Sequence, residues 1–205
     1  MRLSAFRLPA VLAPLFSALL LALAPLPAGA QSTSLGLLDG TVPVTGDDGA
    51  WSFSSANGAV TFSNSSDSGA LRYYFADVPD NLDRTISADV YIDPASGPDG
   101  FGALLFAYHA DEPRYALVAL HGDGRIALYL RDSSGFSPVM SSTFDTPLQG
   151  WVHLELRESG DKVSWSANGE EVGSMERGGL GEGSVGLAAG GLVSASFANF
   201  VVSGY

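Results

Sequence analysis

Hydrophobic and polar residues alternate with a period of two along most of the chain, and helical periodicity is nearly absent beyond residue 30. In TISADVYI (85–92), Ile86, Ala88, Val90 and Ile92 share one side, while Thr85, Ser87, Asp89 and Tyr91 share the other. WVHLELRE (151–158) repeats the pattern, with Val152, Leu154 and Leu156 opposed to Trp151, His153, Glu155 and Arg157. The same reading predicts strands at 59–62, 70–75, 101–109, 114–121, 124–131, 162–167, 184–189 and 193–204. Turn-forming clusters separate them: SNSSDSG (63–69), DPASGPDG (93–100), HGDG (121–124), ANG (167–169) and RGGLGEG (177–183). Short strands at short spacing, with little or no helix, predict an all-β antiparallel sandwich or barrel forming one domain over residues 31–205.

Two stretches carry finer expectations. In KVSWSANGEEVG (162–173), Asn168-Gly169 between alternating residues predicts a two-residue hairpin, because both central positions of that turn take positive φ. Val163, Trp165 and Ala167 then point inward, and Glu170 and Glu171 become solvated strand residues. In 101–131, ADEP (110–113) and Gly122-Asp123 read as hairpin loops, which sets His109 opposite Arg114 and Leu120 opposite Arg125. Counting back from these pairs, Leu104, Phe106, Tyr108, Tyr115, Leu117, Ala119, Ile126, Leu128 and Leu130 form the core face. His109, Arg114, Tyr129 and Arg131 gather on the other face, whose middle is also apolar. Strands apolar on both faces lie centrally in a covered sheet. The four residues form a candidate ligand site: an aromatic platform with bidentate donors suited to a sugar or a carboxylated glycan. Pairing of these arginines with acids at the sheet margin is the competing account.

Residues 1–30 have a different character. Arg2 and Arg7 precede the apolar run VLAPLFSALLLALAPL (11–26), and AGA (28–30) closes the segment before Gln31. That is the layout of a secretory signal peptide, and it predicts a secreted or periplasmic product. Pro14 and Pro25 interrupt the apolar run, Pro27 follows it, and no later segment is apolar enough to predict a membrane span. The chain has no cysteine, which suits an oxidising compartment and excludes thiolate chemistry and Cys-ligated zinc. A formal net charge of −12 argues against a nucleic-acid partner.

Catalytic motifs are scarce. There is no G-x-S-x-G, no G-x-x-x-x-G-K-[ST] and no H-E-x-x-H. GEGSVG (181–186) matches G-x-G-x-x-G in form, but it joins strands rather than opening a helix, so it reads as a turn and a glycine-bearing strand. The predicted hairpins put His109 and His121 at opposite ends and on opposite faces, so these two do not share a metal. Asp93 and Asp99 bracket a Pro/Gly loop and are weak candidates for Ca²⁺ against the simpler role of turn formation. Glu155 and Glu158 have opposite parity and cannot flank one glycosidic bond together. His153 and Glu155, on one strand face, are the weak acid/base candidates.

Trp151, the strand 152–158, Asn168-Gly169, then Gly183, Val185, Gly186 and Leu187, and finally Phe197, Asn199, Phe200 and Val202 follow one another in a familiar order. The chain thereby resembles concanavalin A-like lectin/glucanase domains, including laminin-G-like modules and the bacterial 3-keto-disaccharide hydrolase or glycoside-hydrolase-16-like family. The resemblance covers about residues 100–203 well and implies a two-sheet jelly roll. The E-x-D-x-x-E strand of the glucanase relatives is absent, as are the R-x-E and Q-I-H strands of alginate lyases. The expectation is therefore a non-catalytic, carbohydrate-binding module. A glycoside-processing hydrolase and a protein-interaction module are the alternatives.

Overall fold

The computed structural model describes residues 32–34 and 46–204, apart from 68–70, 77, 79, 110, 113 and 145. The predicted signal segment, 1–30, lies outside the described residues. Among the described residues, fifteen strands form two antiparallel sheets. The first is ordered β13 (Glu170–Glu176), β12 (Lys162–Ala167), β11 (Trp151–Ser159), β6 (Arg84–Ile92), β15 (Val193–Ser203), β4 (Ala59–Asn64), β3 (Trp51–Ala56) and β2 (Gly46–Asp48), with β1 (Ser32–Ser34) also paired to β15. The second is ordered β10 (Gly135–Ser142), β9 (Ile126–Asp132), β8 (Arg114–His121), β7 (Phe101–His109), β14 (Ser184–Gly190) and β5 (Leu71–Phe75). The only helical element among the described residues is a 3₁₀ turn, Gly178–Leu180.

Period-two alternation builds the main core. Ile86, Ala88 and Val90 of β6 meet Val152, Leu154 and Leu156 of β11, all fully buried, and pack against Leu104, Phe106, Val118 and Leu128 from the second sheet. Phe62 and Phe197 join them edge to face, with ring centroids 5.3 Å apart. On β15 a bulge at Asn199, φ 50°, resets the alternation, so that Phe197 and Phe200 both turn inward although three residues separate them.

Asn168 and Gly169 have φ of 51° and 83°, the hairpin turn expected there, and Val163, Trp165 and Ala167 are buried as predicted. The same chemistry recurs at Asn57-Gly58, φ 54° and 78°, which joins β3 to β4. The serine-rich β3 and the proline-bearing β10 carry no alternation that would predict a strand. Ser52, Ser54 and Ser55 mask the alternation of β3, and Pro138 sits on an edge strand, where a missing N–H donor is tolerated. No atom crowds a Cβ built at Gly169, so Gly169→Ala should cost only the backbone strain, roughly 1 kcal/mol. A urea midpoint lowered at unchanged m-value checks this.

A buried ionic cluster closes one end of the sandwich. Glu158, opposite Arg84 in the β11–β6 ladder, accepts from Arg84 Nε at one carboxylate oxygen and from Arg177 Nη1 (2.7 Å) at the other. All three side chains are essentially inaccessible to solvent. Both arginines also reach the glycine-rich segment 178–183: Arg177 Nη1 donates to Gly181 O (3.0 Å) and Arg84 Nη2 to Gly183 O (2.6 Å).

Candidate functional site

The loop joining β8 to β9 contains three residues, 122–124. Leu120 therefore pairs with Ile126, and His121 N donates to Arg125 O. In addition, a bulge at Ala107 (φ 53°) and Tyr108 lies between the pairs Phe106–Ala116 and His109–Arg114. Each feature shifts the register by one residue. The expected faces of β9, and of β7 as far as Phe106, are thus correct, whereas Tyr108 and His109 beyond the bulge and all of β8 are inverted. Ala116, Val118 and Leu120 enter the inter-sheet core, while Tyr115, Leu117 and Ala119 face outward.

The four expected ligand residues divide accordingly. Tyr129 and Arg131 stand on the outer face of the six-stranded sheet. His109 and Arg114 do not; they hold the 3₁₀ turn, His109 Nε2 against Leu180 O (2.8 Å) and Arg114 Nη1 against Gly179 O (2.5 Å). The gathering of all four on one face is corrected, because the bulge on β7 turns the His109–Arg114 pair toward the inter-sheet side.

In place of the inverted residues, the outer face carries a continuous aromatic surface. Ala188, Ala103, Ala119 and Ala127 lie in register across four central strands and form a low floor. Around them stand Tyr73 and Phe75 from β5, Phe101 and Tyr108 from β7, Tyr115 from β8, Tyr129 from β9 and Phe136 from β10. Tyr129 stacks on Phe136 at 4.8 Å and 9° between ring planes, and lies 5.9 Å from Phe101. Phe75 approaches Tyr108 to 4.4 Å, and Tyr108 stacks on Tyr115 at 5.9 Å. The small floor has a reason: a Cβ added at Gly190 would stand 2.6 Å from the Phe101 ring, which lies down over the sheet.

A hollow of about 350 Å³ opens on this face, with Phe101, Tyr115, Phe136 and Arg131 in its wall and Asp67 and Asp99 at its rim. From the level of Tyr115 to that of Phe101 is six residues of strand, roughly 20 Å. Tyr115 is paired across the ladder with Arg131, which in turn pairs with Phe136. Among the described residues, Arg131 has no carboxylate or carbonyl within hydrogen-bonding distance. Burial raises the Tyr115 phenol above its usual range, and the Arg131 charge offsets part of that rise.

His121, 2 % exposed, lies opposite Phe101 in the β7–β8 ladder. Its Nδ1 receives Arg125 Nη2 (3.1 Å), and its Nε2 lies 2.9 Å from Tyr129 Oη. A guanidinium has only donors, so Nδ1 is the unprotonated nitrogen and Nε2–H donates to Tyr129. Desolvation and then the Arg125 charge lower the His121 pKa to about 4, against the smaller opposing pull of Asp123 and Asp99. Arg125 is itself held by Asp123 (2.7 Å) and Asp99 (3.2 Å).

The remaining expected residues are separately engaged. On the outer face of the nine-stranded sheet, His153 Nδ1 contacts Asp89 Oδ1 (2.7 Å), and Asn199 Nδ2 donates to Asp89 Oδ2 (2.6 Å). Burial acts to raise the Asp89 carboxyl, but the hydrogen bonds from Asn199 and His153 prevail and hold it below the usual carboxylate range. Glu155 pairs with Arg157 (3.6 Å) beside a hollow of about 180 Å³. Asp93 Oδ1 accepts from Ala95 N (2.8 Å) within its own turn, whereas Asp99 faces Arg125.

Comparison with known proteins complements this geometry. No protein-family model and no curated protein matches the chain. Among solved structures, the carbohydrate-binding module CBM66 from Bacillus subtilis aligns with TM-score 0.56 at 16 % identity, covering 84 % of this chain and 95 % of that one. A Bacillus licheniformis β-glucanase aligns with TM-score 0.59 at 8 % identity, covering 88 % and 100 %. A prokaryotic β-1,3-1,4-glucanase (lichenase) derived from a mouse hindgut metagenome aligns with TM-score 0.58 at 10 % identity, covering 85 % and 98 %.

The fold is a concanavalin A-like jelly roll.

At these identities the likeness concerns the fold alone, and that jelly roll serves both binding modules and hydrolases among its neighbours. Among the described residues, no helix of the jelly roll is long and apolar enough to cross a membrane. The aromatic face belongs to residues that sequence reading placed in the core, Tyr108 and Tyr115, or left unassigned, Tyr73, Phe75, Phe101 and Phe136. The HGDG loop held the usable signal: counting Gly124 as a third loop residue turns Tyr115 outward beside Tyr129 and Arg131.

Proposed function

We propose that this chain is an exported carbohydrate-binding module that holds an oligosaccharide on the outer face of its six-stranded sheet. One observation carries the reading: aromatic rings from five strands form one outer surface, and three of them, Phe101, Tyr115 and Phe136, wall a hollow edged by Arg131, Asp67 and Asp99. Flat aromatic surface with a few placed polar groups suits sugar rings, whose apolar faces stack while their hydroxyls bond at the rim. The length of the hollow favours a chain of sugars over a single ring.

Glycan-array screening followed by calorimetry tests this. Phe136→Ala and Tyr115→Ala should each weaken binding tenfold or more, as expected for aromatic anchors that a bound ligand covers. Phe136 lies on an edge strand and is 40 % exposed, so its removal should leave the fold intact. Full-strength binding by both variants would refute the assignment. Parallel arms with calcium and with a chelator test the Asp93–Asp99 loop, and equal binding is expected because both carboxylates have protein partners.

The hydrolase alternative draws on the His153–Asp89 contact with Glu155 two residues along the same strand face. Product release from oligosaccharides, abolished by Glu155→Gln, would establish it in place of the binding module.

A further inference from the structure

We infer that the outer-face site selects oligosaccharides bearing carboxylates, with Arg131 receiving the acid group and Tyr129 donating its hydroxyl proton to a second ligand oxygen. The inference rests on the binding-module reading and adds the ligand's chemical class.

The argument concerns which polar groups on that face retain bonding capacity. Arg125 is occupied by Asp123, Asp99 and His121. Arg131 differs: among the described residues no carboxylate or carbonyl satisfies its guanidinium, although Asp132 follows it in sequence and turns its oxygen to Ser134 N (2.7 Å) and Ser134 Oγ (2.5 Å). Its cross-strand neighbours, Tyr115 and Phe136, lower the local access of water, so a ligand carboxylate would meet the guanidinium in a partly desolvated setting. The planar fork matches two carboxylate oxygens at once.

Tyr129 contributes a donor of fixed sense. Its oxygen already accepts Nε2–H of His121, because Arg125 occupies His121 Nδ1. The phenolic proton is therefore directed away from His121 and remains available to a ligand oxygen. Tyr129 lies between Phe136 and Phe101, two walls of the hollow, so that proton serves a ligand stacked there. The hollow is polarised along its length. Asp67 and Asp99 lie toward Leu71 and Gly190, where they can accept sugar hydroxyls, and Arg131 lies at the opposite end beside Tyr115. The surplus of negative charge on the chain repels acidic ligands at long range, so selection for them depends on direct contact with Arg131.

Calorimetry with four probes tests the inference: oligogalacturonate, the same oligomer fully methyl-esterified, a sulfated carrageenan oligosaccharide and neutral cello-oligosaccharides. Oligogalacturonate should bind at least tenfold more tightly than its methyl ester, since a charge-assisted hydrogen bond is lost on esterification. Arg131→Gln should remove that preference, Arg131→Lys should restore part of it, and Tyr129→Phe should weaken binding about five- to tenfold while leaving the preference in place. Equal affinity for acid and ester, or binding of neutral or sulfated chains alone, overturns the inference and leaves the binding-module reading standing. Failure of every saccharide, on a full glycan array as well, overturns both. Nitrogen NMR of His121 supplies a ligand-free check, and a proton found on Nδ1 would refute the donor role given to Tyr129.

Discussion

Glu158→Gln should destabilise the protein by about 3–5 kcal/mol, the largest stability effect expected of a single side-chain exchange here. The carboxylate is the shared acceptor of Arg84 and Arg177, and none of the three reaches solvent. Gln keeps the volume but removes the charge, leaving two buried guanidinium groups side by side without a counter-ion. Their mutual repulsion and unpaid desolvation fall on the same few ångströms of the sandwich end. The damage should extend beyond the pair, because these arginines also hold the carbonyls of Leu82, Gly160, Gly181 and Gly183. Urea denaturation should show a large fall in midpoint, with Glu155→Gln, a half-buried exchange three positions away on the opposite face of β11, moving it little. A midpoint shift as small for Glu158 as for Glu155 would mean that solvent reaches the cluster and compensates it.

The second large effect is one of pH. His121 keeps its imidazole neutral down to about pH 4, whereas in the unfolded chain it protonates near 6.5. Above 6.5 neither state carries the extra proton, and this group leaves stability unaffected by pH. Between 6.5 and 4 the unfolded chain takes up a proton that the folded chain refuses. Stability must therefore fall with pH across that window, by about 3 kcal/mol once it has been crossed. The groups facing the ring explain the refusal: Arg125 repels the charge, Asp123 and Asp99 are already committed to Arg125, and Tyr129 and Phe101 cover the remaining sides. Denaturation between pH 7 and 4.5 should show this slope in the native protein and a reduced one in His121→Phe. An unchanged slope in that variant would reassign the acid sensitivity to the carboxylates, several of which, such as Asp89 and Asp123, are held below their usual range and lose their contribution at lower pH still.

How far the sequence could be read depended on register. Alternation is a robust signal where one face is buried and the other is wet, and β6, β11 and β12 lie as expected for that reason. In β7, β8 and β9 both faces are apolar, so polarity alone cannot tell inside from outside, and only loop length fixes the parity. Two departures of one residue each, the bulge at Ala107–Tyr108 and the three-residue loop at 122–124, cancelled between β7 and β9 but reversed β8. Tyr115 was thereby assigned to the core and Arg114 to the ligand face, the reverse of their positions. Tyr129 and Arg131 kept their place because β9 contains both errors. The segment RGGLGEG shows another limit. Its glycines predicted a turn, but not that the carbonyls of residues 179, 180, 181 and 183 are met by Arg114, His109, Arg177 and Arg84. Arg177 opens the segment itself, but His109 and Arg114 flank a distant hairpin and Arg84 starts β6, and no local pattern announces those three.

The position of β15 bears on when the chain can fold. This last strand lies in the interior of the nine-stranded sheet, with β6 on one side and β4 and β1 on the other. Until it arrives, the sheet is split into two halves with open edges, and Phe62, Val90 and Ile86 lack the residues that cover them. The contacts that close the core thus join segments about a hundred or more residues apart, an arrangement that makes folding slow. Pairing along both edges of this one strand is what turns the two halves into a single sheet.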